Sequence, residues 1–82
     1  MIDAGQMRAA RALLSWSQAE LSEKSGVSLP TIKRMETVGT GRSAGDTIQK
    51  IERALEAGGI MFIAENGGGA GVRLVKPKAA GE

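Results

Sequence analysis

Apolar residues recur at helical spacing near the start of the chain. Met7, Ala10 and Leu14 fall on one face of a helix, because residues three or four apart are neighbours on a helical surface. Asp3 precedes Gln6 by three residues, which is the spacing of a capping box. The pattern therefore predicts a first helix that begins just after Asp3.

Two shorter helices are predicted next. Ser17 and Glu20 repeat the capping-box spacing at the start of the second helix. Gly26 is expected to end that helix, since glycine adopts a left-handed conformation without steric cost. Ser28 can cap a third helix that runs to about Thr37.

A fourth helix follows a glycine-rich loop at residues 38–45. Either Ser43 or Asp46 can cap it, and the sequence leaves both open. Gly58 and Gly59 end the helical pattern. The buried face of this helix is predicted to consist of Ile48, Ile51 and Leu55.

The last third of the chain has the pattern of a β-hairpin. Ile60–Ile63 is an apolar strand candidate, residues 66–71 form a turn segment, and residues 72–75 form a second strand. The fold class is therefore mainly α, with four helices and a C-terminal hairpin. We divide the chain into a helical domain at 1–59, a hairpin at 60–76 and a flexible tail at 77–82.

Composition argues against an enzyme. The 82 residues contain no cysteine, histidine or tyrosine, which removes the commonest metal ligands and general bases. We predict no catalytic residue, no metal site and no cofactor. A domain of this size is marginally stable alone, so a partner subunit is a reasonable expectation.

No membrane association is expected from the sequence. The longest apolar run, residues 59–64, is far shorter than the roughly 20 residues that a spanning helix needs. The N-terminus does not have the pattern of a signal peptide. We therefore expect a cytoplasmic protein. The net charge of +2 does not by itself indicate a partner, because the position of the charges matters more than their sum.

One segment, residues 18–36, combines features of two short helices that cross through a tight turn. It resembles the helix-turn-helix of the phage Cro-repressor family, the Xre-type regulators, over roughly residues 7–55. A hairpin stands where that family has a fifth helix, so its usual dimer interface is not carried over. Ser22 also replaces the usual alanine. The matching positions are Gln18, Ser22, Gly26, Val27, Ile32 and Glu36.

The resemblance implies binding to double-stranded DNA, with the third helix in the major groove. Arg34 is the main candidate for reading a base, and Leu29 and Pro30 can pack on thymine methyl groups. Gln18 at the start of the second helix and Arg42 in the loop are candidates for phosphate contacts. The full set of candidate DNA-binding residues is Gln18, Ser28, Leu29, Pro30, Thr31, Lys33, Arg34, Thr37 and Arg42.

Two further residue roles are expected to be structural. By the same resemblance, Arg11 and Glu36 form an ion pair between the first and third helices. Trp16 lies just before the second helix, where its ring can pack against Leu21 as a hydrophobic staple.

The hairpin is the predicted dimerisation element. Ile60–Ile63 is apolar at every position, so both of its faces favour burial, and a homodimer formed through the hairpins would cover the second face. The alternative is a hairpin folded wholly onto its own helices. The candidate dimerisation residues are Ile60, Met61, Phe62, Ile63, Val72 and Leu74.

The preferred interpretation is a dimeric, nucleoid-associated transcriptional regulator that acts as a repressor on a palindromic operator. Two alternatives stay open. One is the antitoxin of a toxin–antitoxin pair, which binds a toxin and regulates its own operon. The other is a protein-interaction module that keeps the helix-turn-helix only as a scaffold.

Overall fold

The computed structural model describes residues 1–75 as four helices followed by a two-stranded antiparallel sheet. This confirms the predicted fold class. The predicted tail at 77–82 and the last hairpin residue, Lys76, lie outside the described residues. The elements are α1 (Ala4–Leu14), α2 (Gln18–Ser25), α3 (Leu29–Val38), α4 (Gly45–Ala57), β1 (Ile60–Ile63) and β2 (Gly71–Leu74).

The first two helices begin at capping boxes, as predicted. The Asp3 carboxylate accepts the Gln6 backbone N–H at 2.8 Å, and the Gln6 side-chain oxygen accepts the Asp3 N–H at 2.9 Å. Ser17 and Glu20 exchange the equivalent bonds at 3.0 and 2.8 Å. Each box satisfies backbone donors that the first turn of a helix leaves unpaired.

The other two helices begin differently from the prediction. Ser28 occupies the N-cap position of α3, but its hydroxyl bonds to the Thr31 hydroxyl at 2.8 Å instead of capping the backbone. The N-cap of α4 is Ala44, so the expectation of Ser43 or Asp46 was wrong. Among residues 1–75, no side chain caps either helix. Their positions therefore depend on packing of their apolar faces.

A single hydrophobic core joins the helices and the base of the hairpin. The predicted face of α4 is buried, and Leu21, Ile32 and Met35 from α2 and α3 pack into the same cluster. Ile2, which precedes the first helix, also contributes and was not predicted. The largest side chains with almost no exposure are Met7, Leu21, Ile32, Met35, Ile48, Ile51 and Leu55.

The hairpin lies on the helices with one face toward the core. β2 packs against α1, and β1 packs against α4 and α1. The pairing joins Ile60 to Leu74 and Phe62 to Val72. Directly paired residues share a face of the sheet. Ile60 is buried on this face, and Phe62 and Val72 are half-buried against the core.

The hairpin boundaries differ slightly from the prediction. β2 begins at Gly71, one residue earlier than expected, and ends at Leu74. The loop is therefore residues 64–70, and Gly67 and Gly69 in it have positive φ values of 98° and 83°. A local turn pattern indicates where a loop lies but does not fix its register with the sheet.

Gln6 connects the hairpin to the start of α1. Its side-chain amide N–H groups donate to the carbonyl oxygens of Gly71 at 3.0 Å and Ile63 at 3.4 Å. Gln6 is buried, so its side-chain amide loses its hydrogen bonds to water on folding. The bonds to the two carbonyl oxygens replace them. One residue thus completes a helix cap and docks a distant element.

Candidate nucleic-acid interface

The turn between α2 and α3 is held by local contacts. Gly26 has φ of 78°, a left-handed conformation, and its N–H donates to the Ser22 carbonyl at 2.9 Å. The Ser22 hydroxyl donates to the Val27 carbonyl at 2.7 Å, and the Val27 side chain is buried. Serine therefore fits this close approach of the helices and supplies a hydrogen bond that alanine cannot.

The helix α3 has one buried and one open face. Ile32, Met35 and Glu36 point into the protein. Lys33 and Arg34 are exposed, and within residues 1–75 neither forms a salt bridge. The open face therefore carries positive charge that the described part of the chain does not neutralise.

The remaining candidates on α3 differ in exposure. Pro30 and Thr37 are exposed, whereas Leu29 and Thr31 are half-buried. The Thr37 hydroxyl donates to the Lys33 carbonyl at 2.8 Å, and the Thr31 hydroxyl accepts a hydrogen bond from Ser28. Both threonines thus already have local partners, while the apolar side of Pro30 is open to a ligand.

A buried ion pair ties the helices together behind this face. Arg11 donates from Nε to Glu36 Oε2 at 2.8 Å and from Nη2 to Glu36 Oε1 at 2.7 Å, a two-point contact. Its third nitrogen donates to the Trp16 carbonyl at 3.0 Å. The Glu36 side chain is only 3% exposed. The hydrogen bond to Glu36 raises the pKa of the Arg11 guanidinium, and burial partly opposes that rise.

Gln18 joins the same cluster. It is the first residue of α2, and its side-chain Nε2 donates to Glu36 Oε1 at 3.1 Å. A glutamine amide carries two N–H donors and an oxygen, so one bond to Glu36 leaves capacity for a phosphate. The contact orients the amide at the N-terminus of α2.

Arg42 lies exposed in the loop between α3 and α4. The Thr40 hydroxyl anchors this loop by donating to the Ile2 carbonyl at 3.0 Å. Val38, at the end of α3, is 72% exposed and was not among the predicted site residues. With Gly39, Gly41 and Arg42 it lines a shallow depression beside the basic face. An aliphatic residue in a glycine-rich segment gives no signal of this exposure in the sequence.

The Trp16 ring contributes to structure. It lies so close to Gly58 that a side chain there would meet ring carbons at 2.8 Å, and the Lys24 ammonium sits 5.1 Å from the ring centroid. Such a cation–π contact adds to the packing. The expected contact with Leu21 stays a prediction.

The part of the chain that the structure describes lacks both a cluster of metal-ligating side chains and a helix that could span a membrane. Residues 1–75 contain no group of three or more acidic, histidine or cysteine side chains placed to hold a metal ion. None of the helices in that range has the length and apolar character required to cross a bilayer.

Comparison with known families agrees with this geometry. A helix-turn-helix family model matches residues 7–58, which is more than half of the chain. The chain belongs to the helix-turn-helix family. The match confirms the Xre-type resemblance and supports a DNA-binding regulatory domain. The hairpin lies beyond the matched residues. No curated protein matches the chain.

Proposed function

We propose that this helix-turn-helix protein is a transcriptional repressor that binds a palindromic operator as a dimer. The observation that carries the proposal is the open basic face of α3. Lys33 and Arg34 project from a helix whose opposite face is buried, and within residues 1–75 they have no acidic partner. A rigid helix with unpaired cations is suited to the negatively charged major groove.

Arg34 is the proposed base-reading residue. Its guanidinium can donate to O6 and N7 of one guanine together, a geometry that distinguishes guanine from other bases. Leu29 and Pro30 lie at the start of α3, where apolar contact with thymine methyl groups is possible. Ser28, Thr31, Lys33 and Thr37 complete the proposed contact surface on this helix.

Phosphate contacts supply most of the proposed affinity. Gln18 and the free backbone N–H groups at the start of α2 form one site, since a helix N-terminus favours anions. Arg42 supplies a second site in the loop after α3. Binding through such contacts weakens steeply as the salt concentration rises, because it depends on release of counterions from DNA.

A dimer would place two recognition helices in successive major grooves, about 34 Å apart on one face of DNA. We propose that the hairpin residues hold the two copies together. Ile60 is buried within its own chain, so its side chain supports the hairpin, whereas Met61 and Leu74 are 45% and 42% exposed. Such a regulator would act in the cytoplasm, at the nucleoid.

The test compares two arginine variants with the same change of charge. Arg34→Ala removes the proposed base contact, and Arg53→Ala removes an exposed arginine from α4, outside the proposed surface. Fluorescence anisotropy on DNA from the region upstream of the gene measures binding at several salt concentrations. We expect Arg34→Ala to weaken binding by about 10- to 100-fold, the equivalent of roughly 1–3 kcal/mol.

The matched variant and the salt series decide the outcome. Arg53→Ala should bind operator DNA as the unsubstituted protein does. Equal losses in the two variants would indicate non-specific attraction and would contradict base reading by Arg34. Binding that is insensitive to salt, or no binding at low salt, would overturn the proposed function.

A further inference from the structure

The outer edge of β1 has unpaired backbone groups. Val75 donates its N–H to the Gly59 carbonyl at 2.6 Å, which makes Gly59 and Val75 a hydrogen-bonded pair of the hairpin. Hydrogen-bonded and non-hydrogen-bonded pairs alternate along an antiparallel ladder. The register therefore makes Met61–Arg73 a hydrogen-bonded pair, and the peptide groups of Ile60 and Phe62 point away from β2.

These outward peptide groups have no partner within residues 1–75. The sheet contains two strands in that range, and no other backbone or side-chain hydrogen bond reaches Ile60 or Phe62. An unpaired strand edge is a template for another strand unless a charge, proline or bulge blocks it. β1 contains no charge or proline, since its residues are Ile, Met, Phe and Ile, and its one-to-one register with β2 has no bulge.

The two edges of the hairpin are not equivalent. β2 carries Arg73 at its centre, opposite Met61 of β1. Two copies that paired through β2 around this position would bring one arginine against the other, and like charges directly opposite each other destabilise a sheet. Two copies paired through β1 would instead bring two methionines together. The β1 edge is therefore the one suited to a second copy of this chain.

We propose that β1 pairs antiparallel with β1 of a second copy, with the two-fold axis at Met61. This inference rests on the proposed dimer and specifies how the copies meet. In this register Ile60 pairs with Phe62 of the partner subunit, and each such pair exchanges two backbone hydrogen bonds. The two hairpins become one continuous four-stranded sheet, and the Met61 side chains meet on its outer face.

In this register the two β1 edges are complementary to each other. The outward donors and acceptors of Ile60 and Phe62 meet the same groups of the other copy, which is the requirement for an interface with two-fold symmetry. A pairing of short strands buries less surface than a standard stable interface, so we expect a weak dimer in the micromolar range. DNA with two half-sites would then stabilise it by binding both copies.

Cysteine cross-linking tests the register directly, because the chain has no cysteine of its own. In the proposed dimer the two Met61 Cα atoms lie about 4.5 Å apart, within the range for a disulfide. Two Arg73 residues would be separated by three strand spacings, roughly 14 Å. Met61→Cys, Arg73→Cys and a surface control on α2, Glu23→Cys, are oxidised without DNA and compared on non-reducing gels, with folding checked by circular dichroism.

Only one pattern supports the proposal. Met61→Cys should form a disulfide dimer on the order of tenfold faster than either control, since only its thiols are held at bonding distance. Faster cross-linking of Arg73→Cys would show pairing through β2 and overturn the proposal. Equal rates in all three variants would show random collision and would also overturn it. Because DNA is absent, none of these outcomes depends on operator binding.

A pair of charged variants provides an independent test. Met61→Lys and Met61→Glu each place like charges across the axis and should weaken self-association by about tenfold. A mixture of the two should form heterodimers, because opposite charges then face each other. Sedimentation velocity on each variant and on the mixture measures this. Unchanged self-association of the single variants, or no heterodimer in the mixture, would contradict a two-fold axis at Met61.

Discussion

At Glu36, one buried carboxylate accepts hydrogen bonds from two other helices. Arg11 reaches it from α1 and Gln18 from α2, while Glu36 itself lies on α3 beside the exposed Arg34. Arg8 adds a hydrogen bond to the Glu36 backbone carbonyl. The cluster therefore fixes the orientation of the proposed DNA-reading helix relative to the proposed phosphate site. Removing one member of the cluster should destabilise the fold strongly, because a buried charge without its partner is costly.

Glu36→Gln should lower the free energy of unfolding by about 3 kcal/mol, because it leaves the partly buried Arg11 without an opposite charge. Urea denaturation measures the change. Glu23→Gln, on the exposed side of α2, is the matched control and should change stability little. The double variant Arg11→Met/Glu36→Leu should recover most of the loss, since two apolar side chains need no charge partner. Failure of that recovery would contradict the assignment of the loss to an unpaired Arg11.

The raised pKa of Arg11 determines how its contribution to the free energy of unfolding should depend on pH. A raised pKa in the folded state means that the stabilisation is complete below the ordinary pKa of an arginine and is lost as the pH rises through the still higher pKa of the folded state. Arg11 therefore stays charged at neutral and moderately alkaline pH. The stability difference between Glu36→Gln and the unsubstituted protein should be constant over that range in urea denaturation.

At the scale of elements, the Gln6 side chain has two functions that substitutions can separate. Its oxygen caps the start of α1, and its N–H groups bind the hairpin. Gln6→Glu keeps the side-chain oxygen that accepts the Asp3 N–H but loses the N–H groups that donate to Gly71 and Ile63. Gln6→Ala loses both functions. We expect each variant to lose amide-exchange protection in the hairpin, because buried carbonyl groups lose their donor.

The two variants should differ at the helix. Gln6→Glu should retain protection in the first turn of α1, since the capping acceptor remains, and Gln6→Ala should lose that protection. Hydrogen exchange followed by NMR resolves both regions. Hairpin protection that survives in Gln6→Glu would show that the amide donors do not hold the hairpin.

Gly58 is the point where α4 passes the Trp16 ring. A Cβ atom at this position would lie 2.8 Å from two ring carbons, so either the ring or the helix end must move. We expect Gly58→Ala to destabilise the protein by about 1–3 kcal/mol, the usual cost of overpacking. Thermal denaturation measures this, with tryptophan fluorescence to report displacement of the ring.

Gly68→Ala is the matched control in the hairpin loop. Its Cβ would meet nothing within 4 Å among the described residues, and its φ is not positive. The same substitution should therefore be neutral or slightly stabilising, because alanine restricts the unfolded chain more than glycine does. Equal destabilisation in the two variants would contradict the steric explanation for Gly58.

Local signals in the sequence were sufficient to predict the helices and the hairpin. Capping boxes at Asp3 and Ser17 and a left-handed glycine at Gly26 act over a few residues, so their spacing can be recognised directly. The start of α4 at Ala44 carries no such signal, and the prediction there was wrong. The bonds of Gln6 to the hairpin and of Gln18 to Glu36 join positions far apart in sequence. Such contacts depend on tertiary packing, which residue patterns do not reveal.

On the scale of the whole molecule, the proposed sheet would make two DNA-reading domains into one rigid unit. The net charge is only +2, so the proposed binding to DNA depends less on long-range attraction than on the local cations of α3 and the following loop. A single domain would contact a single half-site. High affinity would then require that both half-sites face the two α3 helices at the spacing set by the sheet.

This spacing can be measured with altered operators. Inserting about 5 bp between the half-sites rotates one by half a turn, onto the opposite face of the duplex. We expect binding to fall toward the affinity of a single half-site, a loss on the order of 100-fold, because the second contact no longer benefits from a high effective concentration. An insertion of about 10 bp returns both half-sites to the same face of the duplex but doubles their separation. A dimer held by a rigid sheet cannot span that distance, so we expect the affinity to stay low. Met61→Lys, whose self-association is expected to be about tenfold weaker, should show a correspondingly smaller loss on the 5 bp insertion, about tenfold. Anisotropy titrations compare them, and equal binding of all three operators by the unsubstituted protein would contradict a fixed symmetric dimer on DNA.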